Sequence, residues 1–160
     1  MKSLWGFVTL SLCFSLITGC NSRIEIDKEK EKAAIIKLQS DAKKVLIAGD
    51  FDSLLEFSLQ EFYEVSNGEM KKNTHAKMRE NFEKGPKFKE VEIIELEEPI
   101  IRISNDGTMA WAIGKRRFSY TYENSTDPES RQISEYSYLQ IFEKEYGKWK
   151  YSDQALCSKK

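Results

Sequence analysis

The feature that most limits what this chain can fold into is a change of period at Gly85-Pro86. Before it, apolar residues recur at helical spacing. Ile35, Leu38, Ala42, Val45 and Leu46 fall mostly three or four residues apart and form one face of an amphipathic helix. Ile36 flanks that face, and Lys37, Asp41 and Lys44 lie away from it. Gly49 is a fitting stop, and Asp52 can cap a second short helix through Leu54, Leu55 and Phe57. After Gly85-Pro86 the chain alternates. Residues 88–96, 108–122 and 132–144 read as strands, with a bulge expected where the alternation slips at Ile93-Ile94. Pro99 marks a bend or an edge before Ile100, Ile101 and Ile103. Asn105-Asp106-Gly107 and Tyr146-Gly147 are turns, and Lys148-Trp149-Lys150-Tyr151 opens the last strand. Between the two regimes, 61–66 and 69–72 read as a short hairpin about Asn67-Gly68. A third helix then starts at Asn73 or Thr74, carries Met78 and Phe82 on one face, and closes at Gly85. The expected class is α+β, with one curved antiparallel sheet covering the N-terminal helices.

Composition removes several function classes. The 160 residues hold 25 Lys and Arg against 26 Asp and Glu, interspersed along the chain. No basic face is available for a nucleic acid. The one basic cluster, Lys115-Arg116-Arg117, reads as a solvated strand rim. The three cysteines, Cys13, Cys20 and Cys157, form no metal-binding spacing, and the single histidine, His75, cannot build a multi-histidine site. No metal site, cofactor or Gly-rich phosphate loop is expected.

The N-terminus has its own logic. Lys2 precedes a charge-free run from Leu4 to Ile17, and Thr18-Gly19 lead directly into Cys20. The run is shorter than the ~20 residues a membrane span needs. Charged, apolar and small-residue regions in this order make a secretory signal, and the cysteine placed here resembles the lipobox of bacterial lipoproteins. The resemblance implies cleavage before Cys20, acylation of its thiol by palmitate-type chains, and a mature chain lipid-anchored in the bacterial cell envelope. In a Gram-negative host that is the outer membrane or the periplasmic side. The expected layout is a signal peptide over 1–19, a charged tether over 20–32 and one domain over 33–157.

The element order, together with Ala48-Gly49-Asp50-Phe51-Asp52, Ala110-Trp111-Ala112-Ile113-Gly114-Lys115 and Phe142-Glu143-Lys144-Glu145-Tyr146-Gly147-Lys148-Trp149-Lys150, resembles the nuclear transport factor 2-like superfamily, including its SnoaL-like branch. The resemblance implies a cystatin-like cone with an apolar pocket at its open end. Some members use that pocket for catalysis, others only for binding or dimerisation.

Catalysis in the ketosteroid-isomerase-like branch needs a carboxylate base at the end of the first hairpin strand. By approximate alignment that position is Val65, with Glu64 one residue away and expected to point to the opposite face. No catalytic residue is therefore assigned. The preferred reading is a non-catalytic cone that binds a small apolar ligand or a protein partner, with a homodimer through the sheet among the arrangements. The competing reading is an isomerase, dehydratase or hydrolase acting on a small hydrophobic molecule, with Glu64 or Glu61 as base. Tyr63, Trp111, Tyr136, Tyr138 and Phe142 are the candidate pocket-lining residues. Ala110, Ala112 and Gly114 alternate with Trp111 and Ile113, and either set can face the helices.

Overall fold

The computed structural model describes residues 25–127 and 130–158. The leader, Cys20 and Pro128 lie outside them. Helix α1 (Lys28–Ile47) starts at Asp27, whose carboxylate accepts from the Lys30 N–H at 3.0 Å. It begins within the stretch read as a tether, and its first turns already dock. Glu31 accepts from Lys144 Nζ and from Trp149 Nε1, both at 2.7 Å. Gly49 ends the helical run with φ +71°. Helix α2 (Phe51–Leu55) is capped by Asp50, not by Asp52, which lies inside its first turn.

Strands β1 (Ser58–Ser66) and β2 (Glu69–Thr74) form the hairpin. Asn67 and Gly68 both have positive φ, the geometry that matches the twist of the flanking strands. Thr74 caps helix α3 (His75–Lys84). Strands β3 (Phe88–Glu95), β4 (Ile100–Ile103), β5 (Met109–Tyr122), β6 (Gln132–Glu145) and β7 (Lys148–Ser158) follow. β3 and β4 pair in turn along the same edge of β5, separated by the bend that ends at Pro99. The bulge expected at Ile93-Ile94 sits earlier, between Lys89 and Glu92, where Glu90 takes φ +54°.

All pairings among β3 to β7 are antiparallel, as the alternating region implies. β1 joins the free edge of β7 in parallel, so the curved, unclosed seven-stranded sheet is mixed, in the order β2-β1-β7-β6-β5-β3. Its concave face carries the core. Ile35 and Leu38 of α1 pack on Ile101, Ile103, Ala110, Ala112, Tyr138, Phe142 and Trp149. Small residues on β5 let the helix approach the sheet, and Phe142 fills the remaining space with no exposure at all.

Candidate functional site

Between the helices and the concave face lies a cavity of about 270 Å³. This is just below the range for ligand pockets, roughly 300–1,000 Å³, and suits a small molecule. Its roof comes from the second half of α1 (Gln39, Ala42, Lys43 and Leu46), from Leu54 and Leu55 of α2, and from Met78 and Phe82 of α3. Phe82 stacks on Phe51 at 3.8 Å between ring centroids, tying α3 to α2. The floor is the sheet: Phe62 on β1, Ile93 on β3, Arg116 on β5, Tyr136 and Gln140 on β6, and Tyr151, Asp153, Gln154 and Leu156 on β7.

Strand register explains the floor. Alternate residues of β5 from Ala110 face inward, so Ala112, Gly114 and Arg116 share the concave side. Arg116 is opposite Tyr136 on β6 and Glu95 on β3. Its Nε donates to Glu95 Oε1 at 2.7 Å and its second guanidinium nitrogen closes the ion pair. The guanidinium lies over the Tyr138 ring, 4.5 Å from its centre, and the Tyr138 hydroxyl donates to Glu95 Oε2 at 3.2 Å. Tyr138 crosses above Gly114, where any side chain would collide with its ring.

Burial sets the charge states here. It disfavours the Arg116 cation, but Glu95 more than offsets that, and Arg116 stays protonated above its ordinary range. Burial pushes the phenols of Tyr136 and Tyr151 up, and that of Tyr138 up to about 12. All three are therefore neutral hydroxyls at any physiological pH. Gln39 Nε2 donates to Gln140 Oε1 at 2.8 Å, and Gln154 Nε2 donates to Glu64 Oε2 at 2.7 Å. Asp153, the carboxylate among the described lining residues, accepts from the Tyr63 N–H at 2.8 Å. It stands just past an irregularity in the β6–β7 ladder at Ser152.

Of the five residues expected to line the pocket, Tyr136 does. Tyr138 and Phe142 are buried in the core beside it. Tyr63 and Trp111 lie on the opposite face of the sheet and are exposed. Glu61 also faces out, paired with Lys72 at 2.7 Å. Glu64 departs from expectation: it shares the concave side with Phe62 and meets the lining residue Gln154, whereas Val65 is exposed on the convex side. The one-residue alternation itself holds, with Glu64 inside and Val65 outside; what fails is the approximate alignment that put Val65 at the pocket position. Arg116, expected on a solvated strand rim, is instead the charged centre of the floor. The signal was present in the alternation of Ala110, Ala112, Gly114 and Arg116, once the small residues are known to be inside. His75 lies outside the lining. Its Nε2 is 3.0 Å from Ser58 Oγ, whose own proton goes to the Leu55 carbonyl. Among the described residues there is no cluster suited to a metal ion, and no helix is long and apolar enough to cross a membrane.

No protein-family model and no curated protein matches the sequence. Solved structures do match in shape. A nuclear transport factor 2-like superfamily protein from Salmonella enterica aligns at TM-score 0.68 and 14% identity, over 83% of this chain and 94% of that one. A type 2 hexachlorocyclohexane dehydrochlorinase (LinA) aligns at TM-score 0.67 and 15% identity, over 84% and 88%. The hub of CaMKII from S. rosetta aligns at TM-score 0.64 and 13% identity, over 79% and 95%. With helices roofing a curved, open sheet and a cavity between them, the chain has the nuclear transport factor 2-like fold.

Proposed function

We propose that this chain is a bacterial lipoprotein, anchored to an envelope membrane through acylated Cys20, whose cone binds a small, largely apolar molecule without transforming it. The cavity carries this reading: aliphatic and aromatic walls surround a few fixed polar groups, the composition of a ligand site. The carboxylates at or beside it are all engaged, Glu95 by Arg116 and Tyr138, Glu64 by Gln154, and Asp153 by a backbone N–H. The leader, with its uncharged run ending in Thr18-Gly19-Cys20, supports the anchor. Titration with the neutral fluorescent probe N-phenyl-1-naphthylamine tests the site. Saturable binding at one probe per domain is expected, weakened about tenfold or more by Ala42→Phe, which fills the cavity with a ring. Binding untouched by that substitution places the probe elsewhere and removes the basis of the reading.

One observation favours catalysis instead. Glu64 is on the cavity side of β1, and one solved structure of similar shape is a dehydrochlorinase. Turnover of a small hydrophobic substrate that is lost in Glu64→Gln or Asp153→Asn, with probe binding kept, would establish that reading.

A homodimer through the sheet is the partner arrangement that the surface supports. On the convex face Ile100, Ile113, Leu139, Ala155, Val65 and Met70 are successive cross-strand neighbours from β4 to β2. All but the half-buried Ala155 are exposed. Six strands at ~4.8 Å spacing make this apolar stripe roughly 24 Å wide. A two-fold axis would set this stripe against the same stripe of a second copy. A neighbouring fold that serves as a kinase hub is consistent with association.

A further inference from the structure

Resting on the reading of Cys20 as a lipid anchor, we infer that the turn between β6 and β7 is a second membrane contact: Tyr146 enters the headgroup layer of the bilayer and sets the anchored domain end-on to it.

Among the described residues Tyr146 is the most exposed large hydrophobic side chain, at 98%. Its ring adds nothing to the core. Its backbone is also held where an L side chain fits poorly. Tyr146-Gly147 is the two-residue turn that joins β6 to β7, with φ +50° and +78°. A turn with positive φ at both positions favours Asn-Gly. The β1–β2 hairpin of this same chain uses that pair, Asn67-Gly68. A tyrosine in its place strains the backbone and leaves an aromatic ring in water. Neither serves the fold, which points to a use outside the domain.

The position of the turn says what that use is. The chain enters the domain at the same end of the sheet. Ile26 lies against Gly107 in the β4–β5 turn, and Lys28 Nζ donates to Asn105 Oδ1 at 3.1 Å. The Lys144 N–H, two residues before Tyr146, donates to the Thr108 carbonyl at 3.1 Å. The β4–β5 and β6–β7 turns therefore lie side by side where α1 begins. Seven residues lead from Cys20 to Asp27, the cap of α1. Seven residues reach at most ~25 Å. β5 and β6 hold 14 residues each, so the opposite end of the sheet is roughly 40 Å away. With that opposite end on the bilayer, Asp27 would stand beyond the reach of its own anchor. The end that carries Tyr146 is the one held against the lipid. Tyrosine suits an interface, because its ring settles among the headgroups while its hydroxyl stays hydrated. Glu145 and Lys148, which flank the turn, cancel in charge, so the contact is apolar and does not depend on anionic lipid. One ring binds weakly by itself, and the tether supplies the local concentration that makes it effective.

The full chain, expressed with its leader and purified with its lipid, tests this in vesicles of phosphatidylcholine brominated near the headgroup. Tyr146→Trp puts a reporter indole in the turn, and Asn124→Trp puts one in the exposed loop after β5, at the far end. Each emission is read against the chain without the added indole. The Tyr146→Trp emission is expected to shift to the blue and to lose the greater part of its intensity to the bromines, equally at low and high salt. The Asn124→Trp emission is expected to stay unquenched. Tyr146→Asn suits the left-handed backbone and is expected to keep or raise the urea midpoint. Equal quenching at both positions means that the domain lies flat. An unquenched Tyr146→Trp emission on chains that float with the vesicles leaves the turn to water or to a protein partner. A lowered urea midpoint in Tyr146→Asn gives the ring a structural role. Each of these three results overturns the end-on contact and leaves the anchor standing. Chains that do not float, with no acyl mass on Cys20, overturn the anchor and the contact together.

Discussion

Two residues show how single side chains hold this fold in place. Glu31, in the first turn of α1, is clamped by Lys144 and the Trp149 indole. Burial alone would raise its carboxyl, but the bonds from Lys144 and Trp149 and the Lys144 charge outweigh burial and hold it below the ordinary value of 4.5. A lowered folded pKa means that the stabilisation is complete above the unfolded value and is lost as pH falls through the folded one. Glu31→Gln should cost ~1–3 kcal/mol at pH 7, because its one amide oxygen can serve only the Trp149 N–H or Lys144 and its NH2 then faces the other donor. It should also make the acid limb of stability shallower. Urea denaturation at pH 7 and near pH 3 checks both, and equal stability of the two proteins at pH 7 contradicts the clamp. Gly114 is the second case. A Cβ there would sit 2.5 Å from the Tyr138 hydroxyl and 2.6 Å from its ring carbon. Gly114→Ala should therefore displace Tyr138 from Glu95 and cost ~1–3 kcal/mol, read as a fall in the urea midpoint. None of this was legible in the sequence, where Glu31 is one charge in a charged run and Gly114 is one small residue in a strand.

At the scale of elements the sequence was a good guide wherever the signal was local. The face of α1 was readable from spacing, and Ile35, Leu38 and Ala42 are its buried members. Leu38→Ala should lose ~2–5 kcal/mol by removing a core side chain; a loss below about half the lower figure would mean that α1 does not pack as described. The Asn67-Gly68 turn and the Thr74 cap were readable because each rests on the backbone chemistry of one or two residues. Thr74→Ala should cost about 1 kcal/mol, visible as a lowered Tm, since its hydroxyl accepts from the Lys77 N–H at 3.2 Å. Errors arose where an element depends on a distant neighbour. The β3 bulge lies at Glu90, not at Ile93-Ile94, because the pairing with β5 sets it. Asp50 caps α2 in place of Asp52 because the helix starts directly after the Gly49 turn, two residues earlier than expected.

At the scale of the whole molecule, the convex stripe is the exposed feature with the largest consequence. If it joins two copies, then Ile113→Lys with Leu139→Lys, both exposed and cross-strand neighbours, should turn a dimer into a monomer in sedimentation analysis without loss of secondary structure. A wild-type monomer at tens of micromolar would rule the dimer out. The sequence by itself determined the class of elements, their order, the antiparallel run after Gly85-Pro86 and the helix face that must be covered. These follow from side-chain period and turn chemistry, which are local. Only the tertiary structure decided which face of the sheet lies inside. Ala110-Ala112-Gly114 and Trp111-Ile113 are both compatible with burial, and the choice depends on how closely α1 can approach a concave surface. That choice carries Arg116 inward and Trp111 outward. The docking of β1 on β7 then puts Glu64, beside Gln154, on the cavity side and leaves Val65 on the other. A strand reverses its facing with every residue, so an alignment off by one position exchanges Glu64 and Val65, and with them the character of the site.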